Sequence, residues 1–454
     1  MTAVFSPKEL STATGGYWLN GISEAARYSI TTDTRCDNRG KIFFALAGDR
    51  FDAHDFLRQA VDSGCAALCI SRKKNIDIPE NIPVLVVDDT LIAMQSCAAF
   101  HRRRFPELTL FCVTGSVGKT SVKEMLRAIC TSAAGTNHVL ATEGNTNNQI
   151  GVAQNLLRLT AEHRFAVIEA GTSSHGEILP LSRMAAPAGA IVNSIAPCHL
   201  ENLIDLDGVA REKGTIFFFL SDNGIAIFPA ETAGKAILEK AAFPHNTITF
   251  GIDGKGDVQA RFISGKLDGS TFQLTFPDGK IFTVSWNLTG KHNALNAAGA
   301  AALAYASGIS PETICNALPD TKLPGMRMKK TLVDGITYFN DAYNANPASM
   351  HASINLLSQV DFDGNLFLVL GGMRELGAGS ETAHKELLAE IKVKLPHAKV
   401  ITTGKEFENL SECHFYSPED AGNHLQSMLA AGDTVFAKGS RGNCVEKALP
   451  PEAR

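Results

Sequence analysis

The chain has 454 residues, of which 44% are hydrophobic and 20% charged, and its formal net charge is -5. The length predicts two to four domains with ample core, and the composition is that of an ordinary globular protein. The weakly acidic balance excludes a general nucleic-acid-binding surface. No apolar run is long enough to span a membrane, and the N-terminal residues lack the pattern of a signal peptide.

Ten cysteines are scattered along the chain without C-x-x-C pairs, and several lie in apolar segments, namely Cys65, Cys69, Cys97, Cys112 and Cys130. Such cysteines are typical of reduced core residues in a cytosolic protein. We therefore expect a cytoplasmic protein with no membrane or nucleic-acid partner. We also expect a monomer, although the sequence itself does not determine the oligomeric state.

The first segment, residues 1–87, predicts a small α/β unit. It contains apolar runs at residues 41–47, 65–70 and 83–87, with a helical stretch near residues 55–63. Beside a predicted strand lies a polar loop formed by Thr32, Asp33, Thr34 and Arg35. The chemistry of this loop is compatible with a bound polar ligand and equally with a capped turn.

The second segment, residues 88–322, opens with the pattern of a phosphate loop. An apolar run at residues 108–113 predicts a buried strand, and apolar residues at helical spacing follow Lys119. Backbone N–H groups of such a loop surround phosphate oxygens, while Lys119 would reach the terminal phosphates and Thr120 would bind Mg²⁺. The loop consists of Thr114, Gly115, Ser116, Val117, Gly118, Lys119, Thr120 and Ser121.

This loop departs from the usual spacing, because Val113 stands where a glycine is expected. The alternative is a glycine-rich turn from strand to helix that contains an incidental lysine. The flanking strand and helix favour the phosphate loop.

Polar side chains follow the next predicted strands at the same edge of the sheet. Glu169 ends the run at residues 165–169, and His199 comes after the run at residues 189–195. Ligands bind beyond the carboxyl ends of parallel strands, so Glu169 is a predicted Mg²⁺ ligand and His199 its neighbour. The loop at residues 142–151 is dense in amides and favours a ligand over a simple asparagine-rich turn; its candidate binding residues are Asn145, Asn147 and Asn148.

The rest of the second segment gives weaker signals. Lys213 lies in a predicted helix and, by its residue chemistry alone, has the character of a surface lysine. Residues 250–288 predict β-hairpins, and Gly290 precedes an alanine-rich helix in which Asn293 and Asn296 share one face.

The third segment, residues 323–454, predicts a second doubly wound sheet of the Rossmann type. Apolar runs at residues 332–340, 365–370, 399–403 and 433–437 alternate with helical stretches. Polar clusters at the strand ends predict a cleft that faces the second domain.

Together these motifs resemble the Mur ligase family, the ATP-dependent amide-bond-forming enzymes of peptidoglycan precursor synthesis. The similarity is carried by TGSVGKTS, by Glu169, His199 and Lys213, and by GKHNALNAAGAA. The motifs EGNTNNQIG, DAYNANPASM and LGGMRELG indicate the branch that adds a dipeptide, and TTDTR with FFALAGDRFDAHDF resembles a nucleotide-sugar-binding domain. The resemblance implies a central P-loop ATPase domain between a sugar-nucleotide domain and a C-terminal Rossmann-like domain.

The implied reaction joins D-alanyl-D-alanine to the terminal carboxylate of UDP-N-acetylmuramoyl-tripeptide through an acyl phosphate. The resemblance implies two Mg²⁺ ions, one held by Thr120 and Glu169 and the other by Glu169, His199 and a carbamylated Lys213. The residues implied to be catalytic are Lys119, Glu169, His199 and Lys213. The residues implied at the nucleotide are Asn293, Asn296, Arg327, Asp341 and Asn344, and those at the muramoyl peptide are Thr32, Asp33, Thr34, Arg35, Asn145, Asn147 and Asn148.

Some positions depart from the family pattern. The usual K-G-E-I around the carbamylated lysine is Lys213-Gly214-Thr215-Ile216 here, and Cys198 precedes the metal histidine. Three alternatives stay open: a sibling ligase that adds a diamino acid to UDP-MurNAc-dipeptide, a non-catalytic subunit that binds a UDP-sugar, and a P-loop switch or motor ATPase. The set of Lys119, Thr120, Glu169, His199 and Lys213 argues against the non-catalytic subunit.

Overall fold

The computed structural model describes residues 3–48, 51–74 and 81–454. Within these residues the strands form three separate sheets, one in each of the three predicted segments. The mixed α/β fold class is therefore confirmed, while the domain boundaries stay predictions. Residues 49 and 50, which belong to the motif FFALAGDRFDAHDF, lie outside the described residues.

The first sheet has six strands in the order β1-β3-β4-β5-β6-β2. Strands β3 to β6 are parallel, and β1 and β2 pair antiparallel at the two edges. The strands are β1 Val4–Phe5, β2 Tyr17–Leu19, β3 Tyr28–Thr31, β4 Lys41–Phe44, β5 Ala67–Ser71 and β6 Val84–Val87. The first three helices are α1 Pro7–Thr14, α2 Leu57–Asp62 and α3 Thr90–Arg102.

The second sheet has nine strands in the order β15-β14-β13-β12-β11-β10-β7-β9-β8, in which the β13–β14 and β14–β15 pairs are antiparallel and the other pairs are parallel. Its strands are β7 Thr109–Thr114, β8 Val139–Ala141, β9 Phe165–Glu169, β10 Gly189–Val192, β11 Ile225–Pro229, β12 Asn246–Ile252, β13 Val258–Lys266, β14 Gly269–Thr275 and β15 Ile281–Trp286. Its helices are α4 Lys119–Ala134, α5 Gln149–Leu156, α6 Ile178–Ala185, α7 Leu200–Leu203, α8 Leu206–Gly214, α9 Lys235–Ala242, α10 Lys291–Ala306 and α11 Pro311–Ala317.

The third sheet has six strands in the order β16-β17-β21-β18-β19-β20, parallel except for the β16–β17 pair. Its strands are β16 Lys329–Val333, β17 Ile336–Asn340, β18 Leu366–Gly371, β19 Lys399–Thr403, β20 His414–Phe415 and β21 Thr434–Lys438. The helices that flank it are α12 Pro347–Leu357, α13 Ser380–Lys394 and α14 Pro418–Gln426.

The apolar cores join the first two units more closely than the third. One cluster of buried side chains runs from a face of the first sheet through α3 to α5, α6 and a face of the second sheet. Helices α4 and α10 cover the opposite face of the second sheet. The third sheet has clusters of its own on each face. The third unit is therefore the one whose orientation depends least on shared core.

Two predicted elements need correction. The run at residues 332–340 is not one strand but a hairpin, because Asp334 and Gly335 both take positive φ and form a tight turn between β16 and β17. The predicted hairpin region begins later than residue 250, since β12 pairs parallel with both β11 and β13. The predicted Pro277-Asp278-Gly279 turn does connect β14 to β15.

None of the helices in the described part of the chain has both the length and the apolar character needed to cross a bilayer.

Candidate active site

The loop between β7 and α4 is held in shape by polar contacts from neighbouring elements. Gly118 has φ of 82°, and a Cβ there would lie 2.5 Å from Asn193 Nδ2 and 2.6 Å from Asn296 Oδ1, so this position requires glycine. The amides of Ser116 and Val117 donate to Ser194 O and Oγ, at 2.9 Å each. The first turn of α4 keeps its N–H groups directed out of the helix end, where an anion binds.

Lys119 and Thr120 begin α4 and face different partners. Lys119 Nζ donates to Gly115 O at 2.8 Å, so the lysine side chain folds back over the loop. Thr120 Oγ1 donates to Glu169 Oε2 at 2.9 Å. The hydroxyl and carboxylate predicted to share a metal ion are thus adjacent, although they come from different elements.

The Glu169 carboxylate is buried, with 2% of the residue exposed, and both of its oxygens accept hydrogen bonds. Asn147 Nδ2 donates to Oε1 at 2.9 Å, while Thr120 binds Oε2. Among the described residues no group of three or more His, Cys, Asp and Glu side chains could hold a metal ion. Such a sparse oxygen-donor set fits Mg²⁺, which uses one or two protein ligands together with substrate phosphates and water.

His199 follows β10 in a left-handed conformation, with φ of 52°. Its Nδ1 lies 2.5 Å from Glu375 Oε2, which belongs to the third unit. Within the described residues no hydrogen bond or ion pair joins His199 to Glu169 or Lys213. A carboxylate beside one ring nitrogen is the arrangement that orients a metal-binding histidine, so Glu375 is a residue that the sequence reasoning missed.

Lys213 is not the surface lysine that its residue chemistry suggested. It lies on α8 with 1% of its surface exposed. Burial, together with the positive charge of Lys119, lowers the pKa of Lys213 to about 8. No hydrogen bond or ion pair within the described residues compensates its ammonium group.

Glu212 precedes this lysine and is 3% exposed. Its carboxylate accepts three backbone N–H bonds at the start of α6, from Gly176 at 2.7 Å, Glu177 at 3.0 Å and Ile178 at 2.8 Å. These bonds fix α8 against the loop that follows β9. Glu212 therefore holds the backbone of Lys213 relative to the strand that carries Glu169.

The asparagines of α10 are buried behind the phosphate loop. Asn193, at the end of β10, donates from Nδ2 to Val117 O and to Asn296 Oδ1, at 2.9 Å each. Asn293 Nδ2 donates to Thr289 O at 2.8 Å. Sequence reasoning missed Asn193, although its place after a buried parallel strand was a usable signal.

The third unit reaches the phosphate loop through Arg327. Its Nη2 donates to Thr120 Oγ1 at 3.1 Å, and its guanidinium carbon lies 3.7 Å from the centre of the Tyr343 ring. Asp341 pairs with Lys438 at 2.6 Å, and Lys438 also donates to Asn344 O at 3.2 Å. Lys438 therefore joins two of the predicted nucleotide residues of the third unit, Asp341 and Asn344.

The predicted substrate loop at residues 32–35 contacts helix α5, which begins directly after the asparagine loop. Gln154 on α5 donates to Thr32 Oγ1 at 3.3 Å. In the same loop as Thr32, the Arg35 guanidinium donates to both carboxylate oxygens of Asp33, at 2.9 and 2.8 Å. This contact lowers the pKa of Asp33 to about 2.

The three asparagines differ in position. Asn145 is exposed, and its Oδ1 accepts a hydrogen bond from Asn147 at 3.1 Å. Asn147 is the one that reaches Glu169. Asn148 forms the N-cap of α5, accepting from Gly151 N at 2.9 Å, so its side chain already has a structural partner.

A three-unit α/β protein with a phosphate loop, a buried carboxylate beside it and a third unit in contact with that loop has the architecture of an ATP-dependent ligase. Family models for the Mur ligase middle domain and for the Mur ligase glutamate ligase domain match residues 113–304 and 326–441. The chain belongs to the Mur ligase family, which confirms the resemblance drawn from its motifs.

Two relatives that match nearly the whole chain carry the same enzyme name. The chain is 37% identical over 443 residues to UDP-N-acetylmuramoyl-tripeptide–D-alanyl-D-alanine ligase of Escherichia coli K12, covering 95% of each chain. It is 34% identical to the enzyme of the same name from Bacillus subtilis 168, covering 92% of each.

Solved structures agree with these relatives. A crystal structure of MurF from Acinetobacter baumannii matches with a TM-score of 0.91 and 32% identity, covering 99% of both chains. MurF from Thermotoga maritima in complex with ADP matches at 0.81 and 25%, covering 94% of this chain and 97% of the other. A diaminopimelate-adding ligase matches only in fold, with a TM-score of 0.58 and 18% identity.

Proposed function

We propose that the chain joins D-alanyl-D-alanine to the terminal carboxylate of UDP-N-acetylmuramoyl-tripeptide and converts ATP to ADP and phosphate. The observation that carries this function is the 37% identity to the E. coli ligase over 95% of both chains. The γ-phosphoryl group of ATP passes to the tripeptide carboxylate, giving an acyl phosphate and ADP. The dipeptide amine then attacks the acyl carbon, phosphate leaves, and the amine proton is lost to give the amide.

The ATP site is proposed at the phosphate loop, because backbone N–H groups at the start of a helix bind phosphate oxygens. The Thermotoga maritima relative was solved in complex with ADP, which supports binding of an adenine nucleotide. Thr120 and Glu169 would hold one Mg²⁺, and Glu169, His199 and modified Lys213 a second. When bound, Mg²⁺ neutralises phosphate charge. Lys119 places a further positive charge beside the loop, and Arg327 brings another from the third unit.

Closure of the third unit has a clear role in this scheme. Arg327 and Glu375 reach Thr120 and His199 across the cleft only when the units are together. An acyl phosphate is hydrolysed by water, so a closed cleft protects it until the amine attacks. Asn293, Asn296, Asp341 and Asn344 line the proposed nucleotide site from α10 and the third unit.

Carbamylation of Lys213 is proposed on three properties of this residue. It is buried, its ammonium has no compensating partner among the described residues, and its pKa is lowered to about 8. The reaction forms a bond between the neutral amine nitrogen and the carbon of CO₂, with loss of one proton. The product is an oxygen anion, which suits Mg²⁺ better than an ammonium group does.

The muramoyl tripeptide is proposed to bind between the first two units. Thr32, Asp33, Thr34 and Arg35 lie on one side, with Asn145, Asn147 and Asn148 on the other. The Thr32–Gln154 contact joins the first loop to α5, the helix that begins after the asparagine loop, and Asn147 joins the asparagine loop to Glu169. We place the reaction in the cytoplasm, because all ten cysteines are free in the structure.

The proposed function is tested by measuring phosphate release with ATP and UDP-muramoyl-tripeptide, with and without D-alanyl-D-alanine. We expect release only with the dipeptide, together with a new UDP-pentapeptide by mass. Release with a diamino acid on the dipeptide precursor would instead assign the sibling reaction, and ATP binding without turnover would favour a binding subunit.

A matched pair of variants locates the chemistry in the same assay. Glu169→Gln removes the proposed metal carboxylate while retaining its size, and we expect the rate to fall at least a hundredfold. Glu239→Gln, at an exposed position on α9, should leave the rate unchanged. Equal rates for the two variants would contradict the assignment of Glu169.

A further inference from the structure

Helix α4 carries a buried ion pair whose role the proposed reaction does not explain. Lys123 and Glu124 are 2% and 6% exposed, and they lie one turn after Thr120. Their side chains form an ion pair, and Glu124 also binds Arg127 Nε at 2.6 Å near the surface. Because burying two charges costs more than their attraction commonly returns, stability alone is a weak reason for such a pair.

The lysine also contacts a second element. Its Nζ donates to the carbonyl oxygen of Thr142 at 3.0 Å, just beyond β8. Thr142 is itself 2% exposed, and its N–H donates to Val167 O on β9 at 3.0 Å. Thr142 is also the first residue of the loop that contains Asn145 and Asn147.

Thr142 in turn fixes Glu169. The Thr142 hydroxyl oxygen accepts a hydrogen bond from the Glu169 backbone N–H at 2.9 Å. The Glu169 carboxylate accepts from Thr120 Oγ1 on α4, also at 2.9 Å. These contacts form a closed ring from Thr120 through Glu169 and Thr142 to Lys123, which is three residues from Thr120 on the same helix.

We propose that Lys123 is a positioning residue that fixes the Glu169 carboxylate and the start of the asparagine loop relative to the phosphate loop. Strand β9 and helix α4 are separate elements, and the ring joins them through the carboxylate of Glu169 and also through its backbone N–H group. Without the Lys123 contact, the Thr142 carbonyl group is no longer joined to helix α4. The proposal rests on the proposed roles of Thr120 and Glu169 in binding Mg²⁺.

The test removes the contact without leaving an unpaired buried charge. In the double variant Lys123→Met/Glu124→Gln both charges are replaced by groups of similar size. The matched control is Arg127→Gln, which also breaks an ion pair of Glu124 but has no contact with Thr142. The Arg127 side chain is 46% exposed, so its loss costs little.

Two measurements separate positioning from stability. The first is the Mg²⁺ concentration that half-saturates the ADP-induced rise in melting temperature, and the second is steady-state kinetics. For the double variant we expect about a tenfold higher half-saturating Mg²⁺ concentration. We also expect about a tenfold lower kcat/KM for UDP-muramoyl-tripeptide, with the KM for D-alanyl-D-alanine unchanged. Arg127→Gln should stay within twofold of the wild type in each.

Thr142→Val breaks the same ring of hydrogen bonds at another place, because it removes the hydroxyl that accepts from the Glu169 N–H and keeps Lys123. It should reproduce the Mg²⁺ defect. Combined with the double variant it should add little, since both act through one path. If the double variant does not fold, Lys123→Met takes its place in both measurements, since Glu124 keeps its ion pair with Arg127.

A folded double variant with wild-type Mg²⁺ dependence and wild-type kcat/KM overturns the proposal, as does a lower melting temperature with unchanged Mg²⁺ dependence. An unchanged Mg²⁺ dependence in Thr142→Val has the same consequence. Glu169→Gln distinguishes the underlying assignment: if it also leaves the Mg²⁺ dependence unchanged, the metal site is misassigned.

Discussion

Replacing Glu212 with glutamine tests whether a single buried carboxylate holds α8 in place. The carboxylate accepts three backbone N–H bonds from residues 176–178, with Oε1 taking two and Oε2 one. Glutamine has the same shape but only one acceptor oxygen. Its NH₂ group would face the Gly176 N–H, so one bond is replaced by two opposed donors.

The expected loss of stability follows from these bonds. Hydrogen bonds to a charged group contribute about 1.5–3 kcal/mol each, and neutral ones about 1 kcal/mol. Replacing three charged bonds by two neutral ones costs at least about 2.5 kcal/mol, and release from carboxylate desolvation offsets part of this. We therefore expect the free energy of unfolding to fall by about 2 kcal/mol, which lowers the melting temperature by about 4–8 °C for a unit of this size.

The assay is thermal denaturation followed by circular dichroism or calorimetry on the full chain. The control is Glu239→Gln, which breaks the exposed ion pair with Lys235 and should lower the melting temperature by less than about 1 °C. A Glu212→Gln variant that melts within 1 °C of the wild type would refute the reasoning. In that case the three N–H groups find other partners at little cost.

Three further predictions concern the site. Arg327→Lys should raise the KM for ATP about tenfold, because an ammonium group cannot both stack on Tyr343 and bind Thr120; an unchanged KM in steady-state kinetics would contradict this role. Glu375→Gln should lower kcat/KM only about threefold, because a half-exposed contact between units is worth well under 1 kcal/mol. Since this contact joins the second and third units, its loss should also raise the radius of gyration of the substrate-saturated enzyme in solution scattering. Identical scattering profiles would argue against a role in closure. The proposed carbamylation of Lys213, followed after CO₂ depletion, should speed up about fivefold from pH 7 to pH 8 at fixed CO₂ and then level off, because the neutral amine of a group with pKa about 8 is half formed at pH 8. A tenfold rise per pH unit up to pH 10 would show an unperturbed lysine.

The sequence predicted those parts of the site that local patterns encode. An apolar run, a glycine loop and helical periodicity placed Thr114 to Ser121 where β7 ends and α4 begins. The same reasoning put Glu169 and His199 at the carboxyl edge of the sheet, since parallel strands end together. Local signals were also present where the prediction was wrong: Asp334-Gly335 is a strong hairpin turn that divides the run at residues 332–340.

What the tertiary structure alone decided are the contacts between distant segments. Arg327 meets Thr120 across 207 positions of sequence, and His199 meets Glu375 of another unit. By its residue chemistry alone Lys213 resembles a surface lysine, but packing of α8 buries its side chain and lowers its pKa. Periodicity reports which face of an element is apolar, whereas burial, ion pairing and pKa depend on the elements that cover that face, and these are fixed only when the chain closes on itself.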